Sequence, residues 1–168
     1  MTKKEQKTIK LDNISRIILE ELQENARKDL RHIAKKAKTS LPTISRRITA
    51  LENAGVIKGY HASVDGAFFD EKETVFTLIK LNLSQTEVKG EPTLEYVCKQ
   101  LAKYPNVKKV HGLFGQNDVL IEVRGESLKS IGEWLTTTTS KLSGFIRSTE
   151  SISSLHTAKD TRDVQITT

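Results

Sequence analysis

The feature that most constrains this sequence is a pair of short amphipathic segments joined by the three-residue turn KTS, residues 38–40. In the first segment, apolar residues recur at the i, i+3, i+4, i+7 spacing of one helical face: Leu30, Ile33, Ala34 and Ala37. Asp29 is placed to cap this helix and Ser40 to cap the next one, where Pro42 lies in a first turn that tolerates its missing N–H. Two helices this close in sequence predict a helix-turn-helix.

The flanking segments complete a three-helix domain. Asp12 is a good N-cap for a first helix over residues 12–24. The last helix continues an apolar stripe through three positions: Ile44, Ile48 and Leu51. Gly55 ends that helix as a C-cap. Residues 56–65 then change to a partly alternating pattern, which predicts an extended, wing-like strand.

The net charge of +6 lies entirely in the N-terminal part of the chain. Residues 1–65 hold 14 Lys/Arg against 8 Asp/Glu, whereas residues 66–168 hold 13 of each. This asymmetry is typical of a polyanion-binding module joined to a neutral one. The sequence shows neither the run of about 20 apolar residues that crosses a bilayer nor a signal peptide. We therefore expect a cytoplasmic protein without membrane contact.

The sequence contains no pattern typical of a catalytic or metal site. The single cysteine, Cys98, falls on the apolar face of a predicted helix, and the four histidines are scattered. Paired carboxylates, a nucleophile with its base and a phosphate-cradling glycine loop are not evident. We therefore predict a protein that is not an enzyme and has no cofactor.

The outward face of the third predicted helix carries a set of polar side chains. At about 100° per residue, Arg46 points away from the apolar stripe, Ser45 and Arg47 lie toward its rims, and Pro42 and Thr43 flank it. Such a face can enter a major groove, with the guanidinium on guanine edges or phosphate. A solvated amphipathic helix would carry the same residues. The tight turn, the capped second helix and the confined positive charge favour DNA binding.

The C-terminal half repeats a strand–helix–strand pattern. VFTLIKLNL and VKKVHGLF enclose the helical TLEYVCKQLAKY, and DVLIEVRG and FIRSTESISSL enclose SLKSIGEWLTTTTSKL. Two such units predict a ferredoxin-like βαββαβ sandwich, and the overall fold class is α+β. The predicted organisation has five parts: a basic arm at 1–10, a helix-turn-helix domain at 11–64, a linker at 65–73, the ferredoxin-like domain at 74–157 and a tail at 158–168.

The motifs IAKK, SLPTISRRI and LENAGVIKGY, behind an aspartate-led first helix, resemble the DNA-binding domain of the Lrp/AsnC family of bacterial and archaeal transcription regulators. The resemblance extends from about Leu11 to about Leu155. It implies DNA contacts at six positions: Ser40, Pro42, Thr43, Ser45, Arg46 and Arg47. Lys38 stands where the family usually has a turn glycine, and Leu41 separates Ser40 from Pro42. The turn must therefore accept a non-glycine residue, and we expect Lys38 to add a phosphate contact.

In the same family the C-terminal half senses amino acids, and VHGLFGQNDVLIEV resembles its effector loop. The resemblance implies an effector site between dimers that includes seven positions: His111, Leu113, Gly115, Gln116, Asp118, Thr149 and Ser151. A zwitterionic amino acid needs the N–H groups of a glycine turn and a carboxylate or hydroxyls. Gln116 replaces a frequent acidic residue. Residues 115–118 are equally acceptable as a hairpin turn without a ligand, with Asp118 as a capping acceptor.

These expectations together describe a sequence-specific DNA-binding transcriptional regulator, modulated by an amino acid or a related small molecule. The sheets of two C-terminal domains would pack as a homodimer, which suits operator half-sites about one helical turn apart. The resemblance implies further assembly to a tetramer or octamer. The alternative is an effector-independent architectural protein of the nucleoid type, which would bind DNA with little sequence preference.

Overall fold

Three helices form the N-terminal part of the protein where the capping residues predict them. The computed structural model describes residues 11–82, 87–88, 90–161 and 163–166. The helices are α1 Asn13–Glu24, α2 Leu30–Lys36 and α3 Leu41–Asn53. Each begins at a predicted side-chain cap whose oxygen accepts a backbone N–H, at 2.8, 2.8 and 3.4 Å: Asp12, Asp29 and Ser40. These bonds satisfy N–H groups that a helix start otherwise leaves without partners.

The two helices of the motif end in the same kind of turn, with different residues at the position that turns the chain. After α2, the N–H of Thr39 donates to the C=O of Ala34 at 3.0 Å, and Lys38 adopts a left-handed conformation with φ +50°. After α3, the corresponding residue is Gly55, with φ +71°. This conformation favours glycine because a Cβ atom crowds the backbone there. The prediction that the turn must accept a non-glycine residue at Lys38 is therefore confirmed.

The three helices bury one apolar core. It contains six side chains drawn from all of them: Ile18, Ile33, Ala34, Ile44, Ile48 and Leu51. Ile18, Ile33 and Ile44 are fully buried. The small side chain of Ala34 lets α2 approach its neighbours closely. The predicted helix-turn-helix is confirmed.

Residues 56–65 form no strand in the described structure, so the predicted wing-like strand is wrong. The segment continues from α3 as irregular, mostly exposed chain, and the Tyr60 hydroxyl donates to the Glu52 carboxylate at 2.9 Å. A strand needs a neighbour for its backbone N–H and C=O groups. No other described segment pairs with residues 56–65, which an alternating pattern cannot reveal.

The C-terminal unit is built on a four-stranded antiparallel sheet. In chain order its elements are β1 Glu73–Leu81, β2 Glu87–Val88, β3 Glu91–Pro92, α4 Thr93–Leu101, β4 Val107–Gly112, β5 Val119–Gly125, α5 Leu128–Lys141 and β6 Ile146–Ser153. The sheet order is β4-β5-β1-β6, and the short strands β2 and β3 form a separate hairpin that the sequence did not predict. This order is that of the predicted ferredoxin-like βαββαβ fold.

Alternation along β1 gives this sheet two different faces. Val75, Thr77 and Ile79 are buried on the side where α4 and α5 pack. Phe76 and Leu78 turn to the opposite side, here called the open face, and Phe76 remains 37% exposed. Ile152 lies opposite Phe76 on β6 and is 54% exposed. The helices therefore cover one face of the sheet and leave apolar side chains on the other.

The predicted linker and tail contain local structure. Gly66–Phe69 form a 3-10 turn within the predicted linker, and β1 begins at Glu73. The chain clusters into two compact units, one up to Ser63 together with the segment from Asp160, and the other Val64–Lys159.

Within the first unit, the side-chain amide of Gln23 accepts from the N–H of Val164 at 2.7 Å and donates to its C=O at 3.0 Å. Part of the predicted tail therefore contacts α1. The predicted basic arm, residues 1–10, lies outside the described residues. In the described part of the chain, no helix has the length and apolar character needed to cross a bilayer.

Candidate nucleic-acid interface and effector region

Arg46 lies on the solvent side of α3, opposite the buried Ile44 and Ile48. Its guanidinium has no hydrogen-bond or carboxylate partner among the residues that the structure describes. The neighbouring Ser45 is exposed, and its C=O accepts a hydrogen bond from the Thr49 hydroxyl at 3.2 Å. The backbone and core thus hold α3 in place, while Arg46 and the Ser45 hydroxyl face solvent.

Two hydroxyl groups at the start of α3 are hydrogen-bonded within the helix itself. The Ser40 oxygen accepts from the Thr43 N–H at 3.4 Å and also lies 2.8 Å from the Thr43 hydroxyl oxygen. Pro42, exposed beside them, occupies the first turn as predicted. The three predicted contact residues therefore lie together at the start of α3, with Ser40 and Thr43 bonded to each other.

Arg47, in contrast to Arg46, has a partner inside the protein. Its Nη2 atom lies 2.7 Å from Oδ2 of Asp12, whose other oxygen caps α1 through the Ser15 N–H. The hydrogen bonds with Ser15, and then the charge of Arg47, hold the pKa of Asp12 below its ordinary value. This ion pair joins α3 to the start of α1. That Arg47 contacts DNA remains a prediction, and such a contact would compete with Asp12.

A buried carboxylate joins α1 to α2 in a similar way. Glu21 is 4% exposed and lies 2.6 Å from Nζ of Lys36, 3.2 Å from Nζ of Lys28 and 3.5 Å from Nε2 of His32. The hydrogen bond from Lys36, with that from Lys28, lowers the pKa of Glu21. Sequence reasoning missed both Glu21 and the Asp12–Arg47 pair, because the partners are 7 to 35 positions apart in sequence.

The predicted effector loop lies between β4 and β5, at the end of the sheet where β1 also ends. The Leu113 N–H donates to the Asp118 C=O at 2.8 Å, which closes the loop as a hairpin. Gly115 has φ +156°, a conformation that L side chains rarely adopt, and Gln116 is exposed beside it. His111 pairs with Leu120 in the ladder and is exposed.

The Asp118 carboxylate is already bonded to the neighbouring strand. Its Oδ2 atom accepts from the Leu81 N–H at 2.8 Å and lies 3.6 Å from Nζ of Lys80. The capping contact therefore runs across to the end of β1, next to the bulge between Lys80 and Leu81, rather than within the loop. An effector ammonium group at Asp118 would share this carboxylate with β1.

The two predicted effector residues on β6 lie on the helix side of the sheet. Thr149 pairs with Ile79, and Ser151 pairs with the buried Thr77, whose hydroxyl oxygen lies 2.9 Å from that of Ser151. Ser151 lines a shallow depression of about 200 Å³ beside α5, and Thr149 lines another of about 290 Å³. Neither depression includes a residue of the loop between β4 and β5. The positions in the loop and those on β6 therefore do not line the same one of these two depressions.

The remaining predictions about site chemistry concern metals and thiols. Among the described residues, no three His, Cys, Asp or Glu side chains are grouped as metal ligands. Cys98 is half-buried, and its burial raises the pKa of the thiol, which disfavours the reactive thiolate.

Comparison with protein families matches two parts of the chain. Residues 11–58 match a winged helix-turn-helix DNA-binding model, and residues 74–164 match the Lrp/AsnC ligand binding domain. An HTH-type transcriptional regulator of Pyrococcus furiosus is 31% identical over 125 residues, which cover 74% of this chain and 77% of that protein. A regulator of the same type from Pyrococcus abyssi is 32% identical over the same shares.

Solved structures share the fold over nearly the whole chain. An AsnC family transcriptional regulator from Agrobacterium tumefaciens superposes with a TM-score of 0.83 at 24% identity, over 92% of this chain and 97% of that one. Escherichia coli AsnC gives 0.80 at 24% identity, over 93% and 99%. A Neisseria meningitidis regulator in complex with L-Met gives 0.80 at 21% identity, over 93% and 97%. From its two domain matches and its relatives, this protein belongs to the Lrp/AsnC family of DNA-binding transcriptional regulators.

Proposed function

We propose that this regulator recognises specific DNA sequences with α3, acts as a homodimer or larger assembly, and responds to an amino acid or a related small molecule. The main observation in support of base recognition by α3 is the position of Arg46. Its guanidinium is exposed opposite the buried side of α3 and has no partner among the described residues. A guanidinium in a major groove pairs well with the O6 and N7 atoms of guanine.

Selection of bound duplexes from a random pool tests sequence specificity. We expect a short palindrome whose half-sites lie about 10 base pairs apart, because a two-fold dimer presents two recognition helices. A pool that shows no enriched sequence would instead support the architectural, nucleoid-type function.

Arg46→Ala tests the assignment of the reading residue. We expect weaker binding to the selected site and relaxed preference at one base pair, a loss of about 1–3 kcal/mol for a bidentate contact. Arg147→Ala is a matched control, because Arg147 is also exposed and has no described partner but lies in the other unit. Equal effects of the two substitutions would argue against reading by α3.

The open face of the sheet is the proposed homodimer surface. It presents Phe76 and Ile152 to solvent, and the partly buried Leu78 and Leu120 lie on the same side. Glu122, on this face, bonds Lys109 and Arg124 at 2.8 Å each. A second copy would remove the apolar side chains from water, which favours association in proportion to the area covered.

Light scattering of a charged variant tests this surface. Ile152→Glu should convert the assembly to smaller species, because a charge on an apolar surface is costly to bury in an interface. Leu155→Glu is the control, since Leu155 is fully exposed beyond the end of β6. Unchanged mass of the Ile152→Glu protein would place the dimer contact elsewhere.

The proposed effector site needs more than one protomer. The two depressions beside Ser151 and Thr149 include no residue of the loop at Gly115–Asp118, so a second copy would complete the site. Support comes from the match to the Lrp/AsnC ligand binding domain and from the likeness to a regulator solved with L-Met. The Gly115 turn offers backbone N–H groups for a carboxylate.

Calorimetric titration with the twenty amino acids tests sensing. We expect heat with a subset of them, and weaker binding after Gln116→Ala, because Gln116 is exposed in the loop and no described residue bonds its side chain. Lys129→Ala, in the exposed first turn of α5, serves as a control. Absence of heat with every amino acid would leave an effector-independent regulator.

A further inference from the structure

The basic side chains of the N-terminal unit divide into two classes by their partners. Lys28 and Lys36 are bonded to the buried Glu21, and Arg47 is bonded to Asp12. The exposed cations without a carboxylate partner in the described structure form the second class: Arg27, Arg31, Lys35, Lys38, Arg46 and Lys58. Positive charge that is already neutralised attracts phosphate less, so the second class defines the surface available to DNA.

Three cations of the second class follow one side of α2 and the turn after it. Arg31 and Lys35 are exposed and lie four positions apart, which makes them neighbours on a helix surface. Lys38 follows in the left-handed turn that leads directly into α3.

An adjacent side of α2 is occupied by internal contacts. Starting from Leu30 at zero, Arg31 and Lys35 lie at about 100° and 140° around the helix, while His32 and Lys36 lie at about 200° and 240°. His32 and Lys36 are the residues that meet Glu21 of α1. The two cations without partners therefore lie about 100° around α2 from the pair that meets this carboxylate, on a separate exposed side of the helix.

From the start of α2 to residue 51, the sequence contains no acidic side chain that could compete with phosphate for these cations. Residues 30–51, from the start of α2 to near the end of α3, contain six Lys/Arg and no Asp/Glu. Arg31 and Lys35 are about 6 Å apart along the axis of α2, and each DNA strand carries one phosphate per about 3.4 Å of the duplex axis. Two side chains at this spacing can reach neighbouring phosphates of one strand.

We infer that Arg31, Lys35 and Lys38 form a phosphate-binding stripe that positions the protein on duplex DNA, separate from the base-reading face of α3. The inference rests on DNA binding by this family member and assigns the sequence-independent part of it. Phosphate contacts of this kind set register and orientation on the duplex without reading bases. Sequence reasoning had named only Lys38 of the three, although the i, i+4 spacing of Arg31 and Lys35 was a signal that could have found the others.

The salt dependence of DNA affinity tests the stripe in the full-length protein. Affinity for a duplex carrying the selected site is measured from 50 to 300 mM KCl for wild type, Arg31→Gln, Lys35→Gln and the double variant. Each phosphate contact that is lost should lower the slope of log affinity against log salt by about 0.9, and the double variant by about 1.8. The affinity loss should be similar on selected and random duplexes.

Lys28→Gln is the matched control, because it removes the same charge from a lysine bonded to Glu21. Its slope should stay at the wild-type value, and a thermal melt of each variant confirms that the helices remain folded. A wild-type slope in the double variant, or an equal loss of slope in Lys28→Gln, would overturn the stripe while leaving DNA binding intact. A wild-type protein that fails to bind any duplex would instead overturn DNA binding itself.

Discussion

Substitution of Lys38 by glycine should stabilise the N-terminal unit. Lys38 has φ +50° in the turn between α2 and α3, and the same position after α3 is occupied by Gly55, with φ +71°. A side chain at a left-handed position costs about 1–2 kcal/mol, because Cβ approaches the backbone too closely. Glycine removes this cost but loses about 0.5–1 kcal/mol through the greater freedom of the unfolded chain. The net gain should be about 0.5–1 kcal/mol.

Urea denaturation followed by circular dichroism measures this gain in the full-length protein. The midpoint of the helical transition should rise while its slope stays constant, since the folded surface does not change. In thermal melts the same free energy corresponds to roughly 3–6 °C for a unit of about 60 residues. Lys38→Ala is the control, because it removes the same charge and keeps the Cβ atom.

The two variants separate backbone strain from charge. Both should lose the same increment of salt slope in DNA binding, because both remove the Lys38 ammonium group. Only Lys38→Gly should gain stability. If Lys38→Gly unfolds at the same urea concentration as Lys38→Ala, the left-handed turn carries no strain and the reasoning from φ is refuted.

Three further predictions concern buried or partly buried polar groups. The pKa of Glu21 is lowered in the folded protein, so the stability that its carboxylate provides is complete above the ordinary pKa near 4.5 and is lost as pH falls through the folded value. The free energy of unfolding between pH 7 and pH 3 should therefore depend less on pH in Glu21→Gln than in the wild type. Identical pH profiles of the two proteins would contradict this. Asp118→Ala should cost about 1–3 kcal/mol in urea unfolding because the Leu81 N–H loses its acceptor. Asp118→Asn keeps an oxygen and should cost less, whereas equal losses would assign the effect to charge. Cys98 should react with iodoacetamide at pH 8 more slowly in the native protein than in urea, since burial raises its thiol pKa; equal rates would show that the thiol is accessible.

The helices of the N-terminal unit were predictable because their signals are local. Asp12, Asp29 and Ser40 accept bonds from N–H groups two or three residues away. Such short-range bonds and the spacing of apolar residues can be read directly from the sequence. The same holds for the strand–helix–strand repeats of the C-terminal unit.

The wing-like strand failed for the opposite reason. Its alternating pattern describes one segment, but a strand exists only with a hydrogen-bonded neighbour. The pattern of residues 56–65 contains no information about which segment, if any, lies beside it. Among the described residues, no segment forms strand hydrogen bonds with residues 56–65.

The candidate DNA site shows the same limit at the level of side chains. Helical periodicity placed Arg46 and Arg47 on the outer part of α3. Because both are arginines, their charge does not distinguish one from the other. Only the packing of α1 against α3 brings Asp12, 35 positions away, to within 2.7 Å of Arg47. Likewise, the Asp118 carboxylate accepts a hydrogen bond from the Leu81 N–H of a neighbouring strand, a partner 37 positions away in sequence.

The sequence by itself determined the helix starts, the turn before α3, the βαββαβ repeat, the concentration of positive charge in the N-terminal part and the family. Each of these depends on residues within a few positions of one another or on totals over a segment. Only the tertiary structure decided which cations are paired and which face solvent, and which partners surround the predicted effector positions. Those properties depend on atoms that are distant in sequence and meet only when the helices and strands have packed, because electrostatic and hydrogen-bond energies fall off over a few ångströms.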